Sequence, residues 1–490
     1  MVTVTFITIL LKAMSLATKT FTGTLWNSAE QIGRRGLNVA VTLLLAHFLV
    51  PEDFGMVAVT SSFIAIANGL MESGFKQALI RMENPTQTDY NTAFFANISL
   101  GLTSYIIIFM MAPVIANYFE EARLSTLIRV AGITILINAF QLVQGANLTR
   151  AMDFRALLMA SVPASIVSAV VAVFLAYLGF GVWALISHLI IYALLSMMFI
   201  WRIGSWRPTL KVSRQSFRAM FGFGSRLFVA STIDTTFINI YIFVIAKVFT
   251  TTIAGYYFFA DKIKDLIINL IVSSIRNVTF PALSTLQNDN VKLKDAYRKI
   301  LQVTTFTVFP ATVFLSALAE PIFYVFLPAY WEPAVPYLQL LCLAGVLLPV
   351  HSLNLNILQV KGRSDLFLRL EIIKKFMLVI ILIISINYGI TGVLIGRIIA
   401  SVLGYIPNSY YSNRLINYPL KEQLIDFMPA LVLSGIVGGL MFLLTNILDL
   451  TALTELLIFA IFGVTLYLTV AYTLNMEAMK HTMRAVGFQR

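Results

Sequence analysis

The chain is built from long apolar segments, each close to the length needed to cross a lipid bilayer as a single helix. A membrane helix needs about 20 mainly apolar residues, and such segments recur along the 490 residues. They lack the period-two alternation expected of outer-membrane strands. We therefore predict an all-α, polytopic membrane protein with about 14 transmembrane helices. The predicted spans lie near residues 22–48, 55–80, 91–117, 124–148, 156–177, 182–201, 219–246, 253–280, 300–319, 337–358, 370–387, 390–412, 427–445 and 456–474.

The composition excludes several classes of protein. Hydrophobic residues make up 59% of the chain and charged residues 12%, whereas a soluble domain is about 45–50% apolar and about 25% charged. A water-soluble particle has too small an interior to bury so many apolar side chains. A soluble enzyme, a nucleic-acid-binding protein and a disordered protein are therefore excluded. The net charge of +12 indicates contact with the anionic cytoplasmic leaflet of a membrane rather than with nucleic acid.

Lysine and arginine are distributed asymmetrically between alternate connections, as the positive-inside rule predicts. Only Arg123 and Lys247 lie on the connections of one side, where acidic pairs such as Glu120-Glu121 occur. This places both termini in the cytoplasm. The basic residues of the other side are Lys12, Lys19, Arg81, Arg150, Arg155, Arg202, Arg207, Lys211, Arg214, Arg218, Lys292, Lys294, Arg298, Lys299, Lys361, Arg363, Arg369, Arg414, Lys421, Lys480, Arg484 and Arg490.

Charged residues also occur within the predicted spans. An isolated charge near the bilayer centre costs about 2.5–3.5 kcal/mol, so these side chains must pair or face a hydrated cavity. Basic residues exceed acidic ones there, which favours an anionic ligand. The basic residues are Arg34, Arg35, Lys76, Arg129, Arg226, Lys262, Lys264, Arg276, Lys374, Lys375 and Arg397. The acidic residues are Glu30, Glu72, Asp234, Asp261, Asp265 and Glu371.

Internal pairing is an alternative explanation for these charges. Glu30 lies one turn before Arg34, Asp261 lies three residues before Lys264, and Glu371 is spaced to pair with Lys374 or Lys375. Pairing and ligand binding are compatible, because a pair can open when a ligand arrives. Depth in the predicted spans identifies Arg129, Lys374 and Lys375 as residues near helix ends, where long basic side chains reach the interface.

The two halves of the chain resemble each other. Phe54-Gly55 enters the second span and Ala254-Gly255 the eighth, and Ala131-Gly132 matches Ala344-Gly345. We predict an N-terminal lobe of six helices (1–210), a C-terminal lobe of six helices (211–420) and two further helices with a cytoplasmic tail (421–490). Because six is even, the lobes share one orientation, and a central site between two such lobes is typical of alternating-access transporters.

Several segments together resemble one known family. They are Lys19-Thr20-Phe21-Thr22-Gly23-Thr24-Leu25-Trp26 near the amino end, Trp206-Arg207-Pro208 on an inner connection, Phe280-Pro281-Ala282-Leu283-Ser284-Thr285-Leu286-Gln287-Asn288-Asp289, and Trp331 followed by Pro336-Tyr337-Leu338-Gln339-Leu340-Leu341-Cys342. From Met14 to about residue 430 the chain resembles the polysaccharide flippases of the multidrug/oligosaccharidyl-lipid/polysaccharide exporter superfamily.

This resemblance implies a function and a site. The function would be to flip an undecaprenyl-diphosphate-linked oligosaccharide from the inner to the outer leaflet of a bacterial cytoplasmic membrane, for surface polysaccharide biosynthesis. The first, second, seventh and eighth helices would line a cleft, and a basic cleft would hold the diphosphate. The predicted substrate-binding residues are Arg34, Arg35, Lys76, Arg226, Lys262, Lys264 and Arg397, and the predicted ion-coupling residues are Asp234, Glu30 and Asp261.

The energy source and partners are part of the same prediction. The chain has no G-x-x-x-x-G-K-[ST] motif, so we expect an ion gradient or the membrane potential to drive transport, with no cofactor and no metal site. Membrane lipids surround the protein, and a polysaccharide polymerase and glycosyltransferases of the same pathway are possible partners. We expect a functional monomer.

Two other functions compete with this one. A cation-coupled drug or metabolite antiporter of the same superfamily would need more acidic residues in its cavity, which the basic excess opposes. A membrane polysaccharide polymerase or ligase would carry its catalytic residues on a large outer loop, and the outer connections here are short. A scaffold without transport activity is disfavoured because buried charge is costly to maintain without a use.

Overall fold

The computed structural model describes Gly33, residues 36–72, 74–448 and 450–486. Within these ranges the side chains at positions 223, 226, 227, 267, 269–278, 280–282, 364 and 484–486 are not described. The described residues form helices, turns and loops without any strand, so the all-α prediction is confirmed. The chain divides into two compact units between Gly255 and Tyr256.

The first unit is a bundle of long apolar helices. Within it α2 packs against α4 and α9, α4 against α6, and α7 against α8. Its helices are α1 (Gly36–Leu45), α2 (Pro51–Glu72), α3 (Phe75–Arg81), α4 (Gln87–Phe119), α5 (Arg123–Ala131), α6 (Ile133–Arg150), α7 (Phe154–Tyr177), α8 (Val182–Ile203) and α9 (Arg214–Val248).

Side-chain caps define where several of these helices begin. Thr86 and Asp89 form a capping box at α4, in which each side chain bonds the other residue's backbone N–H. The Asp153 carboxylate accepts the backbone N–H of Ala156 at 3.0 Å and begins α7. Ser213 does the same for Ser216 at α9. These caps satisfy N–H groups that the helix itself leaves unpaired.

The second unit begins within α10 and contains the remaining helices. There α11 packs against α17, and α16 packs against α13 and α15. The elements are α10 (Thr251–Ser284), α11 (Asn290–Ala317), α12 (Ala319–Phe326), a 3-10 helix (Ala329–Ala334), α13 (Val335–Gly345), α14 (Leu348–Val360), α15 (Ser364–Ile386), α16 (Gly389–Ile416), α17 (Leu420–Ile447), α18 (Ala452–Thr473) and α19 (Glu477–Val486).

One buried carboxylate attaches α17 to α11. The Arg298 guanidinium donates two hydrogen bonds to Asp426, with N–O distances of 2.7 and 2.8 Å. Tyr418 Oη and Gln302 Nε2 also donate to this carboxylate, at 2.5 and 2.9 Å. Asp426 therefore has four donors, which compensate for its loss of hydration on burial. Arg298, which the sequence placed among the basic residues of the inner connections, holds two helices together.

Eleven helices of the described chain are long and apolar enough to cross a membrane. Two of the other predicted spans correspond to α10 and α15, which are 34 and 23 residues long but carry several charges each. The first predicted span continues from α1 into residues outside the described part. A multi-pass membrane protein is thus established, and the count of 14 helices stays a prediction.

The matched glycines of the two halves lie against each other. A Cβ atom added to Gly55 would lie 1.7 Å from the carbonyl oxygen of Thr251, and one added to Gly255 would lie 1.8 Å from that of Pro51. The amino-terminal turns of α2 and α10 therefore touch through their backbones, which only glycine permits at these positions. The lobe boundaries proposed from the repeat, at 210 and 420, are not tested by this packing and stay a prediction.

Candidate functional site

Three charged side chains of α10 form the centre of the candidate site. Lys264 Nζ lies 2.5 Å from Asp261 Oδ1 and 3.1 Å from Asp265 Oδ1. The Lys264 side chain is only 2% exposed, whereas Asp261 is 24% and Asp265 47% exposed. The predicted pairing of Asp261 with Lys264 is confirmed. A buried ammonium between two carboxylates avoids the large cost of an isolated charge in hydrocarbon.

A fourth charge comes from another helix. Arg397 of α16 places Nη1 3.1 Å from Asp261 Oδ1 and also donates a hydrogen bond to Tyr257 Oη. Its guanidinium lies over the Tyr257 ring, 5.5 Å from the centroid. Asp261 is therefore shared by two cations from helices that are distant in sequence. We name Asp261, Lys264, Asp265 and Arg397 the charged network.

The charged network is neutral overall, with two cations and two carboxylates. Gly345 of α13 makes room for it, because a Cβ atom there would lie 3.3 Å from Lys264 Cδ and 2.6 Å from Ile268 Cδ1. The Arg397 side chain, like that of Asp261, is 24% exposed. The network thus has a buried lysine at its base and a partly accessible edge formed by Arg397 and the two carboxylates.

Lys262 does not join the charged network. Its side chain is exposed, and its Nζ lies 5.1 Å from the centroid of the Phe258 ring, one turn earlier on α10. Positions i and i+2 of an α-helix are separated by about 200° around the axis. Lys262 and Lys264 therefore point to different sides of α10. The structure therefore does not bring together these two lysines, both of which the sequence analysis assigned to substrate binding.

The other predicted site residues belong to the first unit. Lys76 is half-buried on α3, and Asp234 is exposed on α9. Arg226 also lies on α9, and its side chain is outside the described part of the structure. Glu30, Arg34 and Arg35 lie outside the described residues altogether. Their assignment to substrate binding or ion coupling stays a prediction.

Sequence analysis missed a row of amide side chains in the first unit, because it searched the spans for charges alone. Asn138 Nδ2 lies 3.3 Å from Asn68 Oδ1, and Gln141 Nε2 donates to Asn138 Oδ1 at 2.7 Å. All three side chains are half-buried. The signal was present in the sequence as Asn138 and Gln141, three residues apart within an apolar span. We name Asn68, Asn138 and Gln141 the amide row.

Two cavities in the second unit contain none of the predicted site residues. One of about 720 Å³ is lined mainly by apolar side chains of α17 and α18, with Gln302, Asp426 and Glu477 also at its wall. The other, of about 660 Å³, lies among α11, α13, α16 and α17. Neither includes the charged network, so these cavities do not define the candidate site.

Comparison with known proteins agrees with this fold. Residues 44–336 match the family model described as "Polysaccharide biosynthesis protein". The match spans more than half of the chain, and the chain belongs to this family. The resemblance found in the sequence is thereby confirmed.

Curated relatives carry related names. Over 328 residues the chain is 27% identical to the succinoglycan biosynthesis transport protein ExoT of Rhizobium meliloti. This alignment covers 67% of this chain and 66% of that protein. Over 438 residues it is 24% identical to the lipopolysaccharide biosynthesis protein WzxC of Escherichia coli, covering 87% and 89%. These relatives are named for transport and polysaccharide biosynthesis.

Solved structures show the same fold. The lipid II flippase MurJ in an inward closed conformation superposes with a TM-score of 0.73 at 17% identity, covering 92% of this chain and 99% of that one. An inward-facing multidrug resistance transporter of the MATE family, a member of the MOP superfamily, gives a TM-score of 0.59 at 21% identity, covering 80% and 95%. At these identities the likeness establishes the arrangement of the helices.

Proposed function

We propose that this protein is a membrane transporter that flips an undecaprenyl-diphosphate-linked oligosaccharide from the inner to the outer leaflet during surface polysaccharide biosynthesis. The observation that carries the proposal is the charged network, in which a buried lysine and a partly accessible arginine come from two different helices. Family membership and the names of the relatives support the same function. They also support a transporter rather than an enzyme.

The charged network offers a physical route for binding a diphosphate. The guanidinium of Arg397 is suited to bidentate contact with phosphate oxygens, and its current partner Asp261 occupies a position that a phosphate oxygen would take. Displacement of Asp261 from Arg397 would leave its carboxylate paired with Lys264 alone and more available to a proton or Na⁺. This is the ion-coupling role predicted for Asp261, and the corresponding roles of Asp234 and Glu30 are part of the same proposal.

The neutrality of the charged network bears on the driving force. Because its cations and carboxylates balance, the diphosphate would bring its own negative charge into the complex. An inside-negative membrane potential favours outward movement of that charge by about 2.3 kcal/mol per charge per 100 mV. The proposal therefore keeps membrane potential or an ion gradient as the energy source, with no cofactor.

The cellular setting follows from the same proposal. We place the protein in the bacterial cytoplasmic membrane with both termini in the cytoplasm, on the basis of the distribution of lysine and arginine. A monomer suffices for this mechanism. A polysaccharide polymerase and glycosyltransferases are the partners expected from the substrate chemistry.

The decisive experiment measures flipping in proteoliposomes. A fluorescent undecaprenyl-diphosphate oligosaccharide is incorporated, and its transfer between leaflets is followed by quenching. We expect Arg397→Gln to slow flipping by at least about tenfold, as expected for loss of a charged hydrogen bond to phosphate. Lys374→Met is the matched control, since Lys374 forms a membrane-helix ion pair with Glu371 at 2.8 Å, with both side chains 22% exposed.

The results separate the competing functions. Equal rates for the wild type, Arg397→Gln and the control would contradict the assignment of the charged network to substrate binding. A wild-type protein that moves cationic dyes but no lipid-linked sugar would contradict the flippase proposal itself. Expression and thermal unfolding of each variant establish that a slow rate reflects function rather than misfolding.

A further inference from the structure

The amide row lies on helices that are long and apolar enough to cross a membrane. Asn138 is near the middle of the 28-residue span that runs from Arg123 to Arg150. Its hydrogen bond to Asn68 places that side chain of α2 at the same depth. Half-buried amides at mid-depth have an exposed part, and exposing an amide to acyl chains without hydrogen bonds costs several kcal/mol. The exposed part of this row therefore requires polar surroundings.

The hydrogen bonds within the amide row leave polar atoms unused. The row runs from Gln141 through Asn138 to Asn68, with each amide nitrogen donating to the next oxygen. Gln141 Oε1, at the start of the row, is buried and has no hydrogen-bond partner among the described residues. Side chains that served only to join helices would satisfy their polar atoms within the protein.

A hydroxyl group of α9 faces the helix that carries Asn68. Thr232 Oγ1 is buried and likewise lacks a partner within the described part of the chain. It lies 3.7 Å from the position of a Cβ atom on Gly69, the residue after Asn68. The absence of a side chain at Gly69 thus leaves space beside the hydroxyl. Thr232 is thus a second unpartnered polar group of the described residues, on a helix that packs against α2.

The chemistry of this region suits a sugar better than a phosphate. A carboxamide supplies both donors and acceptors, and each sugar hydroxyl is itself both a donor and an acceptor. The amide row carries no charge to hold a diphosphate. Its neutral groups instead match a hydrated, uncharged saccharide.

We propose that the amide row forms a saccharide subsite that binds the sugar part of the substrate by hydrogen bonds. This inference rests on the proposed function and deepens it. It assigns recognition of the sugar to neutral amide groups.

The test compares two lipid probes on the same purified protein. One is undecaprenyl diphosphate, and the other is undecaprenyl diphosphate bearing a neutral hexose disaccharide. Asn138→Leu and Gln141→Met remove the amide groups at similar side-chain size. We expect each variant to weaken binding of the glycosylated lipid by about tenfold, the effect of about one lost hydrogen bond. Binding of undecaprenyl diphosphate stays within about twofold of wild type.

Two controls make the result specific. Asn446→Leu removes an amide that donates to its own helix carbonyl on α17, and we expect it to bind both lipids as wild type does. Arg397→Gln is expected to weaken the binding of both lipids to the same extent. Retained binding of undecaprenyl diphosphate by the amide variants also shows that they are folded.

The outcomes distinguish this inference from the proposed function. If the amide variants bind both lipids as wild type does, or if their binding of both lipids weakens equally, the subsite is refuted while the flippase proposal stands. If wild type does not distinguish the glycosylated from the unglycosylated lipid, the subsite is also refuted. If wild type binds neither lipid, the proposed function fails and the subsite with it.

Discussion

Lys264 is the residue whose replacement tests the charged network most directly. Its ammonium contacts two carboxylates, at 2.5 and 3.1 Å, and its side chain is 2% exposed. Lys264→Met keeps the length of the side chain and removes the charge. In this variant Asp261 keeps its ion pair with Arg397, and Asp265 loses its ion pair with Lys264.

The size of the effect follows from burial. Breaking a buried ion pair by removing one partner costs about 3–5 kcal/mol. Because Asp265 is 47% exposed and can gain water, we expect the lower end of that range, about 3 kcal/mol. Asp261→Asn should lower the free energy of unfolding by less. In this variant Lys264 keeps its ion pair with Asp265, and Arg397 keeps its hydrogen bond to Tyr257.

A double-mutant cycle separates the pairing from unrelated damage. The combined Lys264→Met and Asp261→Asn variant removes one charge of each sign and leaves Asp265 and Arg397. We expect it to be more stable than the sum of the single losses predicts, with a coupling energy of about 1–3 kcal/mol. The measurement is equilibrium unfolding in mixed micelles with an increasing fraction of denaturing detergent, followed by tryptophan fluorescence.

The comparison cycle uses Lys374→Met and Glu371→Gln, a pair with the same three-residue spacing. Its two side chains are 22% exposed, so we expect weaker coupling, about 0.5 kcal/mol. Additive effects within about 0.5 kcal/mol at Lys264 and Asp261 would show that the two groups do not interact in the protein, and the assignment of the network would have to be abandoned.

Two other predictions concern the helix ends. Gly55→Ala should destabilise the protein by about 3 kcal/mol, because the new methyl group would lie 1.7 Å from Thr251 O. Gly435→Ala, which has open space, should unfold at nearly the wild-type temperature, and equal melting of the two variants would contradict the close contact. Asp289→Ala should lower the melting temperature because Asp289 accepts backbone N–H groups at the start of α11, whereas Asp289→Asn should retain the cap. The backbone N–H of Lys292 holds the pKa of Asp289 below its ordinary 3.8. The stability contributed by this cap is therefore complete above pH 3.8 and is lost as the pH falls through the lowered pKa. If the difference in melting temperature between the wild type and Asp289→Ala stays unchanged at low pH, this explanation is refuted.

Local sequence information was sufficient for the pairs on one helix. Asp261 with Lys264, and Glu371 with Lys374, are each three residues apart, and both pairs form. A helix brings such positions to one face whatever surrounds it. The helical periodicity also shows why Lys262 points away from Lys264, although the sequence analysis assigned both to substrate binding.

Depth and charge could not identify partners from distant helices. Arg397 lies far along the chain from Asp261, and nothing local indicates that α16 places the arginine beside α10. The same holds for Asn68 and Asn138, whose contact depends on the packing of α2 and α6. Uncharged amides give a weak signal in an apolar span, so the amide row became visible only through its hydrogen bonds.

The sequence by itself determined that this is a helical membrane protein, because the length and apolarity of the segments leave the backbone no other way to satisfy its hydrogen bonds in lipid. It also determined the family and the local ion pairs. Tertiary structure alone decided that Arg397 shares Asp261 with Lys264, that the network is neutral, and that Gly55 and Gly255 touch. Those properties arise from which helix faces meet, and the packing of whole helices sets this rather than any short stretch of residues.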